Sequence, residues 1–129
     1  MARTKSQNLT DAELRLMEVL WQKGEATVSD VVEGLPKDVL LAYSTVITTL
    51  RILETKGFVE HSKDGRAFIY RPLVGRDEAS GSAVSHLLRR FFEGSPERLV
   101  LSLLKQKKFD AKELRRLRKL IDQNQERDS

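Results

Sequence analysis

With 129 residues, of which 40% are hydrophobic and 33% charged, the chain is long enough for one domain or two small lobes. The make-up is that of a helix-rich globular protein. There is no cysteine, which removes disulfides and thiolate metal sites, and no apolar run long enough to cross a membrane.

The formal net charge of +4 suggests an anionic partner, but the charge is unevenly placed. Residues 1–75 carry 10 Lys/Arg against 10 Asp/Glu, and residues 76–129 carry 13 against 9. Segment 41–75 is locally basic, with 5 cations against 3 carboxylates. Charge alone does not select DNA as the partner. The MARTKSQN start lacks the apolar stretch of a signal peptide, so a cytoplasmic location is expected. Within it, Arg3 and Lys5 are candidates to touch a phosphate.

The first helix is expected to start at a capping box of Thr10 and Glu13, with Leu9 stapled onto Leu14. It should run to about Lys23, burying Leu14, Met17, Leu20 and Trp21, and stop at Gly24. A second, shorter helix follows Thr27, with Asp30 as its box partner and an apolar stripe of Val28, Val31, Val32 and Leu35. Pro36 closes it.

The stretch from Leu41 to Glu60 is the most informative. At 100° per residue, Tyr43, Val46, Ile47, Leu50 and Leu53 share one side of a helix that stops at Lys56-Gly57. The other side carries Ser44, Thr45, Thr48, Thr49, Arg51 and Thr55. Ser and Thr are poor helix formers, and five of them on one face sacrifice roughly 2 kcal/mol against alanine. In return the face has short hydroxyls and methyls, one Arg and almost no carboxylate. Such groups fit phosphates, base edges and thymine methyls. The spacing predicts a DNA recognition helix, with Tyr43 near its start placed to reach a phosphate or the groove edge.

Two β-prone runs follow, Phe58 to Ser62 and Ala67 to Arg71, around Lys63-Asp64-Gly65-Arg66. Asp-Gly signals a tight hairpin, and Lys63 and Arg66 would sit at its tip to neutralise backbone phosphates. Three helices and a two-stranded hairpin with a basic tip make the winged helix-turn-helix order, in which the third helix enters the major groove.

Composition shifts at Leu73-Val74-Gly75, giving expected lobes of residues 1–74 and 75–129. A long helix from about Arg76 to Glu93 carries Val84, Leu87, Leu88, Phe91 and Phe92 on one stripe. Ser95-Pro96-Glu97 opens a helix whose body, LVLSLL, is apolar all round. Asp110 and Glu113 box the last helix, which has Leu114, Leu117, Leu120 and Ile121 on its inner face and Arg115, Arg116, Arg118 and Lys119 outside. A lobe this small covers too little of its own apolar surface. A two-fold homodimer through these helices is therefore expected, with Leu87, Phe91, Leu99, Leu103, Leu117 and Ile121 at the interface.

The fold class read from the chain is mainly α with a small β-hairpin: an N-terminal winged helix-turn-helix and a C-terminal helical dimerisation lobe. The segments LTDAELRLMEVLW, AYSTVITTLRILETKGFVE, KDGRAFIYRPLV and SPERLVLSLL together resemble the penicillinase-repressor family of transcriptional regulators, over nearly the whole chain from Leu9 to Ile121. The resemblance implies a winged DNA-binding lobe, a helical dimerisation lobe and repression from a palindromic double-stranded operator. Copper-responsive members bind metal through paired cysteines, which this chain lacks. The β-lactam-responsive members are inactivated by cleavage of an Asn-Phe bond in the dimer lobe by a membrane metalloprotease sensor. Aligning LVLSLL places that bond at Ser102-Leu103, where the residue types differ.

Other classes fare worse. His61 and His86 have no spaced acidic partner, and neither a Gly-rich phosphate loop nor a serine elbow is present. No catalytic residue, metal site or cofactor is expected. The alternative is a winged-helix adaptor that binds protein rather than DNA, which the neutral first lobe and Ile52 near the outer face would suit.

Overall fold

The computed structural model describes the backbone of residues 8–128 and the side chains of residues 8–125. Arg3 and Lys5 lie outside the described residues. The first helix, α1 (Asp11–Lys23), is set by its own ends. Thr10 Oγ1 accepts from the Glu13 N–H at 3.2 Å, and Glu13 Oε1 accepts from the Thr10 N–H at 2.9 Å. Gly24, at φ +85°, takes the left-handed turn that stops the helix. Its buried arc is Glu13, Leu16, Met17, Val19 and Leu20. Leu14, expected in the core, is left at the edge of that arc and is exposed.

A two-residue strand, β1 (Ala26–Thr27), comes next and leads directly into α2 (Val28–Gly34). Thr27 is both strand residue and N-cap, exchanging 3.1 Å hydrogen bonds with Asp30. At Gly34 an added Cβ would stand 2.7 Å from Val19 Cγ1, so the end of α2 packs on α1 at a distance that leaves no room for a side chain.

The third helix, α3 (Tyr43–Lys56), buries Val46, Leu50 and Leu53 and ends at a left-handed Gly57. The Phe58 N–H then reaches back to the Leu53 carbonyl at 2.9 Å. Strands β2 (Val59–Asp64) and β3 (Ala67–Pro72) pair antiparallel, with His61 opposite Tyr70 and Asp64 opposite Ala67. The connection is Gly65-Arg66. Gly65 has φ +63° and Arg66 is not among the positive-φ residues, the pattern of a hairpin turn with glycine at its first central position.

The expected two-stranded hairpin is in fact part of a three-stranded antiparallel sheet, ordered β1-β3-β2. Ala26 and Thr27 pair with Tyr70 and Ile69. One core joins α1, α2, α3 and the sheet through Leu16, Met17, Leu20, Val31, Leu50 and Leu53 among others. Each such side chain contributes about 1.5–3 kcal/mol by leaving water.

Three more helices follow: α4 (Arg76–Phe91), α5 (Pro96–Gln106) and α6 (Ala111–Asp128). The chain divides into two compact units between His86 and Leu87, inside α4, and not at the Leu73-Val74-Gly75 joint read from the sequence. The reason is local. Val74 is buried in the first core, its carbonyl accepts from Trp21 Nε1 at 2.8 Å, and the Arg76 guanidinium lies 4.8 Å from the centre of the Trp21 ring. The start of α4 is thereby held to the winged unit.

In the second unit, Ser95 Oγ caps α5 by accepting from the Arg98 N–H at 3.2 Å. Asp110 and Glu113 form the expected box at the start of α6. No described residue of α5 is buried. Apart from the half-buried Leu99, its apolar side chains, with those of α6, are exposed in the single chain.

Candidate nucleic-acid interface

The core contacts of Val46, Leu50 and Leu53 fix which way α3 faces. They leave Tyr43, Ser44, Thr45, Thr48, Arg51 and Thr55 exposed, so six groups expected on or beside the outer face are brought together there. Ile52 joins them at 43% exposure. Thr49 does not. It is 8% exposed, and its hydroxyl donates to the Thr45 carbonyl at 2.7 Å. That internal bond lets a threonine sit at the rim of the core, which corrects its placement on the outer face.

Two exposed threonines are treated in the same way. Thr48 donates to the Ser44 carbonyl at 3.0 Å and Thr55 to the Arg51 carbonyl at 3.0 Å. With the hydroxyl proton spent inside the helix, each threonine offers an incoming group its methyl and the lone pairs of Oγ1. The face therefore presents methyls, acceptors and one guanidinium.

Two carboxylates near this face are occupied. Glu54 holds His61 Nδ1 on β2 at 2.7 Å, joining the helix to the sheet. Glu60 holds Arg71 Nε at 2.7 Å, and Arg71 also reaches Ser62 Oγ at 3.5 Å. Arg71 is thus spent along the hairpin, while Lys63 and Arg66 stand exposed at the tip without an ion pair among the described residues.

Between α3 and the hairpin lies a groove of about 500 Å³, lined by Tyr43, Ile47, Arg51, Arg66, Phe68 and Tyr70 among others. It makes one concave surface of the helix face and the wing, with a guanidinium on each side. Phe68 was not singled out from the sequence. It stands on the same strand face as Tyr70, edge-on to His61 with ring centres 5.1 Å apart, but one step nearer the tip, where it is exposed. The alternation Phe68, Tyr70 in AFIYRP was the available signal. Burial, with a smaller push from Glu54, raises the Tyr70 phenol above its ordinary value of 10.0, against a lowering by Arg51.

The residues expected at a dimer interface lie in the second unit. Leu87, Phe91, Leu103, Leu117 and Ile121 are exposed, Phe91 the most at 65%, and Leu99 is half-buried. Ser102 and Leu103 lie inside α5, where Ser102 Oγ accepts from Gln106 Nε2 at 2.9 Å. Among the described residues no group of acidic, histidine or cysteine side chains could hold a metal ion, and no helix is long and apolar enough to cross a membrane.

The family described as "Penicillinase repressor" matches residues 9–123. The penicillinase repressor of Bacillus licheniformis is 28% identical over 123 residues, covering 95% of this chain and 96% of that protein. The transcriptional regulator BlaI of Mycobacterium tuberculosis is 40% identical over 93 residues, covering 70% of this chain and 67% of its own. Among solved structures, the DNA-binding domain of the repressor BlaI is similar with a TM-score of 0.52 and 31% identity, over 60% of this chain and 93% of that one.

Proposed function

Since the chain belongs to the penicillinase repressor family, we propose that it binds a palindromic operator as a homodimer, reading sequence with α3 and gripping the flanking backbone with the wing. It is a DNA-binding transcriptional repressor. One observation carries the finer reading: Ser44, Thr45, Thr48, Arg51 and Thr55 form an exposed face free of carboxylates, beside a wing tip whose Lys63 and Arg66 have no ion pair among the described residues. Ser and Thr oxygens meet base edges or phosphates, threonine methyls meet thymine methyls, and Arg51 takes guanine or a phosphate. Tyr43, at the lip of the groove, is placed for a backbone contact. Thr49 supports the helix from below.

A winged unit with little net charge makes few phosphate contacts, so one copy binds weakly. Two copies at fixed spacing supply the remainder, which is the role read for Leu87, Phe91, Leu99, Leu103, Leu117 and Ile121. The two half-sites then lie about one helical turn, or a multiple of it, apart. Selecting bound duplexes from a random pool tests this directly. Enrichment of a palindrome supports both parts, and a non-repeated site counts against the dimer. Failure to enrich any sequence, or binding that ignores salt, would favour the adaptor.

Relief of repression is read as proteolysis in the dimer lobe by a membrane metalloprotease sensor, at Ser102-Leu103. That bond is in mid-helix, so cutting it requires α5 to open locally. Incubation with the cognate sensor and inducer should yield a fragment ending near Ser102; its absence would sink this route. The protein is read as a regulator without catalytic chemistry of its own, in the cytoplasm.

A further inference from the structure

The winged unit is where sequence is read, yet residues 1–75 are electrically balanced and residues 76–129 hold the whole excess of positive charge. One short segment carries more than that excess. Residues 105–119 contain Lys105, Lys107, Lys108, Lys112, Arg115, Arg116, Arg118 and Lys119 against only Asp110 and Glu113. Both carboxylates are engaged locally. Asp110 accepts from the Glu113 N–H at 2.7 Å, and Glu113 accepts from the Asp110 N–H at 3.3 Å and lies 3.8 Å from Lys107.

Lys112, Arg115, Arg116 and Lys119 recur at the spacing that puts them on one stripe of α6. All four are exposed, and none has an ion pair among the described residues. Asp122, the next carboxylate along α6, is not within ion-pair distance of any of them. The apolar residues Leu114, Leu117 and Ile121 lie on the opposite side of the helix. A solvated face normally interleaves both signs, with Glu placed to meet Lys or Arg a turn away. Glu113 and Asp122 stand three residues from Arg116 and Lys119, but among the described residues no carboxylate lies within ion-pair distance of the stripe, so its charges repel one another at a cost to the helix.

We propose that this stripe of α6 is a second DNA-binding surface, taking the phosphate backbone of duplex outside the segment read by α3 and without regard to sequence. The proposal rests on the reading of the protein as a DNA-binding repressor. The chemistry favours phosphate. Arginine meets phosphate with paired N–H donors and lysine meets it as a point charge. From Lys112 to Lys119 the helix rises about 10 Å, which spans roughly three phosphates of one strand. A membrane surface fits less well, because an interfacial helix buries its apolar face in the lipid, and that face of α6 is the one read as shared between two copies.

The test compares two full-length variants with the same net charge. One is Arg115→Gln, Arg116→Gln and Lys119→Gln. The other is Arg15→Gln, Lys23→Gln and Arg89→Gln, on other exposed surfaces. Affinity for a mixed-sequence duplex is followed from about 50 to 200 mM salt, the interval over which phosphate contacts weaken steeply. Mass and helicity are checked for each.

The α6 variant is expected to lose up to about 0.9 in the salt slope per removed contact, with unchanged base preference in a random-pool selection. The other variant should keep the parental slope. Equal loss in both variants would mean bulk charge and overturn the proposal. So would an unchanged slope, a changed oligomeric mass that accounts for the loss, or a deficit confined to phosphatidylglycerol vesicles. If the parental protein enriches no sequence at all, the reading of α3 fails instead, separately from α6.

Discussion

The ammonium of Lys56, in the last turn of α3, lies 2.7 Å from Oε1 of Glu13, the same oxygen that accepts from the Thr10 N–H at the start of α1. Lys56 also donates to the Asn8 carbonyl at 3.2 Å. Glu13, at 4% exposure, therefore closes one helix and holds the end of another. Truncating either partner strands the other in a poorly solvated site. Lys56→Met is expected to cost about 1–3 kcal/mol. Glu13→Ala should cost at least as much, because it also opens the capping box. Urea denaturation of both variants checks this; a cost below about 0.5 kcal/mol would mean that water already satisfies the pair.

On the reading face, the internal hydroxyl bonds give a specific expectation. Thr48→Val keeps the shape and the methyls and removes only Oγ1. It should leave stability within about 0.5 kcal/mol and alter preference at one position of each half-site, by up to tenfold for about 1.4 kcal/mol. Repeating the random-pool selection with the variant measures it.

Ile52 offers a separate test. If its exposed side chain meets a thymine methyl, replacing that thymidine by deoxyuridine in the selected duplex should weaken binding about fourfold, the equivalent of one buried methyl group at about 0.8 kcal/mol. Ile52→Ala should bind both duplexes alike. Equal sensitivity in parent and variant would assign the methyl contact elsewhere.

The wing is expected to make no such discrimination. Arg66→Ala and Lys63→Ala should weaken every duplex alike and each lower the salt slope by about 0.9. A changed base preference would instead put these side chains in a groove.

Dimerisation is tested on α6. Leu117→Glu with Ile121→Glu adds charge to the face expected to be shared and should give the mass of one chain in sedimentation. Affinity for a single half-site should persist while the advantage of a full palindrome is lost.

A pH dependence follows from Tyr70. Its phenol is raised above 10.0, first by burial. The unfolded chain thus releases this proton at a pH where the folded chain retains it, and stability is lost as pH rises from about 10 upward. Below that value the contribution is fully present. Tyr70→Phe should flatten the alkaline limb of a plot of unfolding midpoint against pH.

What could be read from the sequence was whatever depends on neighbours three or four residues apart. The boxes at Thr10 and Thr27 and the stop at Gly57 are local events, and they stand where they were expected. The strand at Ala26-Thr27 was not readable, because two residues carry no period and Thr27 already had a role as N-cap. It exists through pairing with Tyr70 and Ile69, more than forty positions away. Thr49 can sit at the rim of the core because its bond to the Thr45 carbonyl makes it nearly apolar to its surroundings, which residue type alone does not announce. The joint at Val74 looked like a linker because nothing nearby announces Trp21 as its partner.

The helices α1 and α2 are closed at their entry by Thr10 and Thr27, but the N-cap of α3 is Ala42, whose methyl makes no hydrogen bond. Such a cap is worth about 1 kcal/mol, and its lack leaves the first amides of α3 unclaimed. The helix is thus gripped along its back by Val46, Leu50 and Leu53 and left loose at its tip. In amide exchange, Tyr43, Ser44 and Thr45 should trade hydrogen well before the interior of the same helix. If this turn reads DNA, an uncapped start would absorb small misfits to a half-site there and not pass them into the core.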